Sequence, residues 1–235
     1  MNKTQKLAVV VPAAGVGRRM GQDIPKQYLL LDGQPILGRT LARLLACEEV
    51  GLVVVALGED DPWFEALPLA RDPRILKVRG GAERAHSVLA GLKALDEQAY
   101  PWVMVHDAAR PLVTNTDLVL LMDQARQGRG AILAAPVVDT MKLADETGSI
   151  DGTVPRERLW RAFTPQCFPT AALRQALEQG LADGAAITDE ASAMERQGHK
   201  VALVAGREDN IKITNPRDLA LAEYLLAAQE REGIA

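Results

Sequence analysis

Cysteine is nearly absent from this chain of 235 residues. Cys47 and Cys167 lie far apart, outside any C-x-x-C pair, and no histidine cluster joins them. This spacing gives no disulfide framework and points to two buried, reduced thiols in a cytoplasmic protein. An excess of positive charge is also missing: 27 Lys and Arg against 31 Asp and Glu leave a net charge of −4. That excludes a global attraction to nucleic acid or to an anionic membrane. Long apolar runs are missing too, and none approaches the roughly 18 residues that a spanning helix needs. The N-terminal "LAVVVP" is short and runs straight into a glycine–arginine loop, so it reads as a first strand, not a leader.

What is present is a regular alternation. "LAVVVP" (7–12), "VGLVVVAL" (50–57), "ILKV" (75–78), "WVMVHDA" (102–108) and "AILAAPVV" (131–138) read as strands. "PILGRTLARLLAC" (35–47), "SVLAGLKAL" (87–95) and "TNTDLVLLMDQARQ" (114–127) have helical spacing, the last opening on Thr114 three residues before Asp117, like a capping box. Continuous apolar strands imply burial on both faces, as in a parallel sheet flanked by helices. The class is therefore α/β, and aromatics at only 4% do not alter that. Residues 139–160 break the rhythm. They are polar, with Gly148 and Gly152 between two strand-like flanks, which predicts either a long projecting hairpin or a surface loop.

The densest local chemistry is "VVVPAAGVGRRMGQDIPKQ" (9–27), where Gly15 and Gly17 precede Arg18, Arg19 and then Lys26. A glycine-rich turn after the first strand lets backbone N–H groups approach a phosphate. It is not a P-loop, because no lysine–hydroxyl pair follows the glycines, and it is not a dinucleotide fingerprint, because Met20 stands where the third glycine belongs. Its cations suit a nucleoside triphosphate, which carries about four negative charges. Arginine forks grip phosphate oxygens, while a lysine supplies a movable point charge.

Taken in order, "AAGVGRRMG", "PKQY", "GGAERAHSVLAGL", "VHDAARP", "DTMK", "FTPQCF", "TDEAS" and "GREDNIKIT" resemble the 2-C-methyl-D-erythritol 4-phosphate cytidylyltransferases of non-mevalonate isoprenoid synthesis. The resemblance covers essentially the whole chain. It implies a single Rossmann-like nucleotidyltransferase domain over residues 1–235, with a mostly parallel twisted sheet and residues 139–160 as a β-arm. It implies CTP and a small polyol phosphate as substrates, Mg²⁺ or another divalent cation as the cofactor, and a homodimer in which each arm closes over the partner's site. Another polyol phosphate, such as ribitol 5-phosphate, would share every nucleotide motif. A non-catalytic nucleotide sensor is the remaining alternative, although such modules lose the basic loop or the strand-end carboxylate that this chain keeps.

The resemblance also assigns residues. Arg19, Lys26 and Lys212 are the expected catalytic cations. Nucleotide contacts are expected from Pro12, Ala13, Ala14, Gly15, Gly17 and Arg18, and from Gly81, Ala82, Arg84, Ser87 and Ala108. The family often has a polar residue where this chain has Ala82, so main-chain contacts to the pyrimidine are expected there. Arg110, Thr140, Arg156 and Thr164 are expected at the polyol phosphate. Asp107, at the carboxyl end of a strand, is expected to hold metal, with Asp209 as a second ligand or a partner of Lys212. Lys212 reads as lying in a strand-like run, where a lysine is costly unless paired. Residue by residue, Ser87 could equally cap a helix, Arg110 form a structural ion pair, and Asp107 cap a loop. His106 reads as a packed structural histidine, His86 has no role, and "TDEAS" reads as a helix start rich in acids.

Overall fold

The computed structural model describes residues 5–15, 24–128 and 130–234. Strand β1 (Leu7–Pro12) lies at the heart of a seven-stranded sheet, and β2 (Leu30–Leu31) and β3 (Gln34–Pro35) pair antiparallel in a separate short hairpin. β1 pairs in parallel with β4 (Val50–Leu57) on one side and β6 (Trp102–Val105) on the other. The sheet continues through β5 (Ile75–Arg79) beyond β4. On the other flank lie β10 (Trp160–Pro169), β7 (Ala131–Pro136) and β11 (Ala202–Ala205). β10 runs antiparallel to both β6 and β7, while β11 is parallel to β7, so the sheet is mostly parallel, as expected.

Side chains alternate across a strand, and the two faces of this sheet build two cores. Leu7, Val9 and Val11 join Val53, Val55 and Met104 under α1 (Ile36–Ala46) and α3 (Asn115–Gln127). Ala8 and Val10 join Val54, Val103 and Val105 under α2 (Arg84–Lys93), α4 (Thr170–Ala182) and α5 (Glu190–Arg196). In α1 the buried Leu37, Leu41, Leu44 and Leu45 recur at helical spacing. Thr114 caps α3 by accepting from Asp117 N. α2 passes so close to β1 that a Cβ on Gly91 would lie 2.5 Å from Val10 Cγ1. A third cluster anchors α6 (Pro216–Glu232): Leu29, Leu31, Ile36, Ala109, Leu112 and Ile213 receive its Ala222 and Leu226.

Several boundaries shift from the sequence reading. α2 begins at Arg84 and ends at Lys93, where residues 87–95 were expected. β6 ends at Val105 and β7 at Pro136, leaving His106 and Asp107 just beyond the sheet. Lys212 lies in an irregular segment, not a strand. That segment touches the chain after β6 through Ile213 N to Ala109 O at 2.9 Å, and Ile213 is buried beneath α6. It therefore has no sheet neighbour to pair with. The arm is a hairpin, β8 (Met141–Ala144) with β9 (Ile150–Val154). Gly148 takes a positive φ of 83° in its turn, where Asp145 Oδ1 accepts from Thr147 N and Ser149 N at 2.9 Å each. Gly152, expected in that turn, instead sits in β9 opposite Leu143.

Candidate active site

The carboxyl ends of β1, β5 and β6 open on one edge of the sheet, beside the point where strand order reverses about β1. Open α/β sheets bind ligands there. A cleft at this edge is lined by Pro12, Ala13, Ala14 and Gly15 after β1, by Gly81, Ala82, Arg84 and Ser87 after β5, and by Asp107 and Ala108 after β6. Lys26, Gln27, Lys212 and Thr214 close the remaining side. Twelve of the residues read from the sequence thus share one cleft. Gly17, Arg18 and Arg19 lie outside the described residues.

Each wall is held by short-range chemistry. Ala13 N donates to Ala56 O at 2.8 Å, extending the β1–β4 ladder by one residue. Buried Gln27 donates to Ala13 O at 2.8 Å and ties the loop to the 3-10 turn Lys26–Tyr28. Lys26 Nζ in turn donates to Ile213 O at 3.2 Å. In the second wall, a Cβ on Gly80 would stand 2.6 Å from Ala14 Cβ and 3.1 Å from Leu57 O, so only glycine fits. Ser87, four residues into α2, does not cap the helix end. Its hydroxyl accepts from Gly81 N at 3.0 Å and reaches Glu83 O at 3.2 Å, fixing the loop between β5 and α2.

Asp107 is the electrostatic centre. Its backbone N donates to Thr164 Oγ1 at 3.0 Å. Its carboxylate takes Arg84 Nε at 3.0 Å on Oδ1 and Lys212 Nζ at 2.8 Å on Oδ2, with Arg110 Nε at 3.5 Å. Burial alone would raise this carboxyl, but Arg84 and Lys212 outweigh it and hold the group well below the ordinary carboxylate range. Arg84 also forks onto both oxygens of Glu190, at 2.7 and 3.1 Å. Burial pushes Glu190 up, the fork opposes this, and the bidentate geometry is that of an ionised pair. His106 is fully buried and makes its contact to Arg110 O at 3.0 Å. Burial lowers its pKa to about 4, so it is neutral and structural, as read from the sequence.

Other expected residues sit elsewhere. Arg110 and Thr164 lie behind the lining. Arg110 donates to Asn210 O at 2.7 Å and stacks over Phe163, while Thr164 is buried with its hydroxyl spent on Asp107. Both contact Asp107, Arg110 Nε at 3.5 Å from its carboxylate and Thr164 Oγ1 at 3.0 Å from its backbone N. Thr140 and Arg156 are exposed on the arm, outside the cleft, and Arg156 donates to Val138 O. Asp209 does not pair with Lys212: Arg207 and Gln229 hold its carboxylate at 2.7 and 3.1 Å, and Lys212 pairs with Asp107 instead. Glu190 and Gln166 were missed, because an acid opening a helix reads as dipole chemistry and the Gln166 contacts are long-range.

No group of three His, Cys, Asp or Glu side chains gathers among the described residues. Asp107 is the buried carboxylate of the cleft, and a single carboxylate suits Mg²⁺ that arrives already bound to triphosphate oxygens.

Residues 7–228 match the IspD, 2-C-methyl-D-erythritol 4-phosphate cytidylyltransferase, family. The enzyme of that name from Aeromonas hydrophila is 57% identical over 95% of this chain and 90% of its own length. That from Tolumonas auensis is 53% identical over 97% of this chain and all of its own. The solved enzyme from Francisella tularensis superposes with a TM-score of 0.82 at 32% identity, covering 94% of this chain and 99% of its own. With more than half of its residues identical over nearly the full length of two relatives, and with the cleft built as described, the chain belongs to the 2-C-methyl-D-erythritol 4-phosphate cytidylyltransferase family.

Proposed function

We propose that the chain transfers the cytidylyl group of CTP to 2-C-methyl-D-erythritol 4-phosphate, giving 4-diphosphocytidyl-2-C-methyl-D-erythritol and pyrophosphate. The observation that carries this reading is the convergence of Lys26, Arg84, Asp107 and Lys212 on one cleft in a member of that family. An oxygen of the acceptor phosphate attacks the α-phosphorus of CTP, and pyrophosphate leaves. The nucleophile arrives as an anion, so no covalent intermediate is needed, and catalysis rests on positioning and charge stabilisation. Lys26 and Lys212 reach the cleft from opposite chain segments and would hold the developing charge, with Arg19 added from the first loop. The loop fixed by Ser87 offers backbone groups to the cytosine. Mg²⁺ held by Asp107 would neutralise the triphosphate and make its α-phosphorus more electrophilic. Lys212, held at 2.8 Å by Asp107 Oδ2, would stay within reach of the phosphate oxygens.

Thr140 and Arg156 lie on an arm with exposed Met141, Leu143 and Ile150, next to exposed Val138, a surface that a second copy would cover. A homodimer in which each arm serves the partner's cleft places both residues at the polyol phosphate. No described helix is long and apolar enough to cross a membrane, which suits a cytoplasmic enzyme. The test is a substrate panel with pyrophosphate release as the readout. Release with CTP and 2-C-methyl-D-erythritol 4-phosphate, abolished by EDTA, is expected. Equal or faster turnover of ribitol 5-phosphate would reassign the acceptor, and CTP binding without turnover would make the chain a sensor.

A further inference from the structure

The cation cluster ends at a carboxylate outside the cleft. Glu190 is 1% exposed, does not line the cleft, and spends both oxygens on the Arg84 fork. The backbone beneath it is fixed by other groups. Asp189 and Ser192 cap α5 reciprocally. Gln166 of β10 donates to Asp189 Oδ2 and accepts from Ala191 N, each at 2.9 Å. Ala191, Ala193 and Met194 pack the apolar face. Neither the cap nor the core of α5 needs a charge at position 190, and a buried carboxylate is costly unless compensated.

The guanidinium geometry gives the charge a task. Arginine grips a carboxylate best with two parallel N–H groups. Glu190 occupies that fork, so Arg84 meets Asp107 with Nε alone, on Oδ1 at 3.0 Å. Oδ2 stays open to Lys212 at 2.8 Å. Without Glu190, the fork would turn to Asp107, take both oxygens and displace Lys212. We propose that Glu190 is a positioning residue: it fixes the edge of Arg84 that faces Asp107 and thereby keeps Lys212 at the reacting phosphates. The kinetic part of this proposal rests on the cytidylyltransferase reading, but the geometric part does not.

The test therefore has two arms. In ¹⁵N-labelled protein the Arg84 Nε–H, assigned by its loss in Arg84→Lys, should give a slowly exchanging resonance because it is held on Asp107 Oδ1. Glu190→Gln should shift it and speed its exchange, and an unchanged resonance would overturn the proposal whatever the activity. Kinetically, Glu190→Gln should lower kcat roughly tenfold, within the range that small misplacements cost, while KM for CTP stays nearly constant. In an Arg84→Met background, Glu190→Gln should cost nothing further, and multiplying losses would overturn the idea. If Glu190→Gln alone does not fold, the double variant decides: folded with the kcat of Arg84→Met supports the role, and unfolded contradicts it. A wild-type protein that releases no pyrophosphate sinks the activity reading and leaves the resonance to judge Glu190.

Discussion

Lys26 and Lys212 enter the cleft from segments almost the whole chain apart, and the contact of Lys26 with Ile213 O joins them. Removing a preorganised charge that acts in the transition state costs roughly 10²–10³ in kcat, or about 3–4 kcal/mol. Lys26→Ala should show that loss with only a modest fall in melting temperature, because the buried Gln27 and Tyr28 still anchor the 3-10 turn. Lys212→Ala should also destabilise, since it strips Asp107 of a direct partner. A near-wild-type kcat for Lys26→Ala would remove it from the catalytic set. His106 supplies a pH test on the protein without nucleotide or metal. Its folded pKa of about 4 lies below the unfolded value near 6.5. The unfolded state thus binds the proton first, and stability falls as pH drops through that window, by up to about 3 kcal/mol. Urea midpoints from pH 7 to 4 should fall, and His106→Gln should flatten the slope. An equal slope in the variant would assign the loss to other groups.

At the scale of elements, the loop after β5 carries a steric prediction. Gly80→Ala must push the loop off Ala14 and Leu57, whereas a Cβ on Gly58 meets nothing nearer than Ala14 O at 3.9 Å. Gly80→Ala should raise KM for CTP by roughly tenfold or more, given what displaced contacts cost, and Gly58→Ala should not. Equal KM values would mean that the loop does not hold the nucleotide. The continuous apolar strands and the helices over them were legible in the sequence because burial on both faces leaves a direct compositional trace. The hairpin was legible from polar flanks around a glycine turn. Lys212 was misplaced because Ile211 and Ile213 alternate like a strand, while in the fold Ile213 plugs the cluster under α6. Glu190 was illegible for a different reason. Its partner Arg84 lies 106 positions away, and no local pattern distinguishes a buried acid from a dipole-compensating one.

At the scale of the whole molecule, the exposed arm predicts that the working unit is a pair. Lys26→Ala and Arg156→Ala, each nearly inactive, should complement when refolded together. Random pairing makes about half the dimers mixed, and each rebuilds one of its two sites, so about a quarter of the wild-type activity should return. No return in demonstrably mixed dimers would mean that Arg156 serves its own cleft. Cytidylyl transfer to a polyol phosphate can be followed by ³¹P NMR of the complete reaction. CTP, Mg²⁺ and 2-C-methyl-D-erythritol 4-phosphate should lose the triphosphate resonances and gain pyrophosphate together with a pair of coupled diphosphate signals from the new linkage. Pyrophosphate accompanied by free CMP, with the acceptor phosphate resonance unchanged, would contradict it.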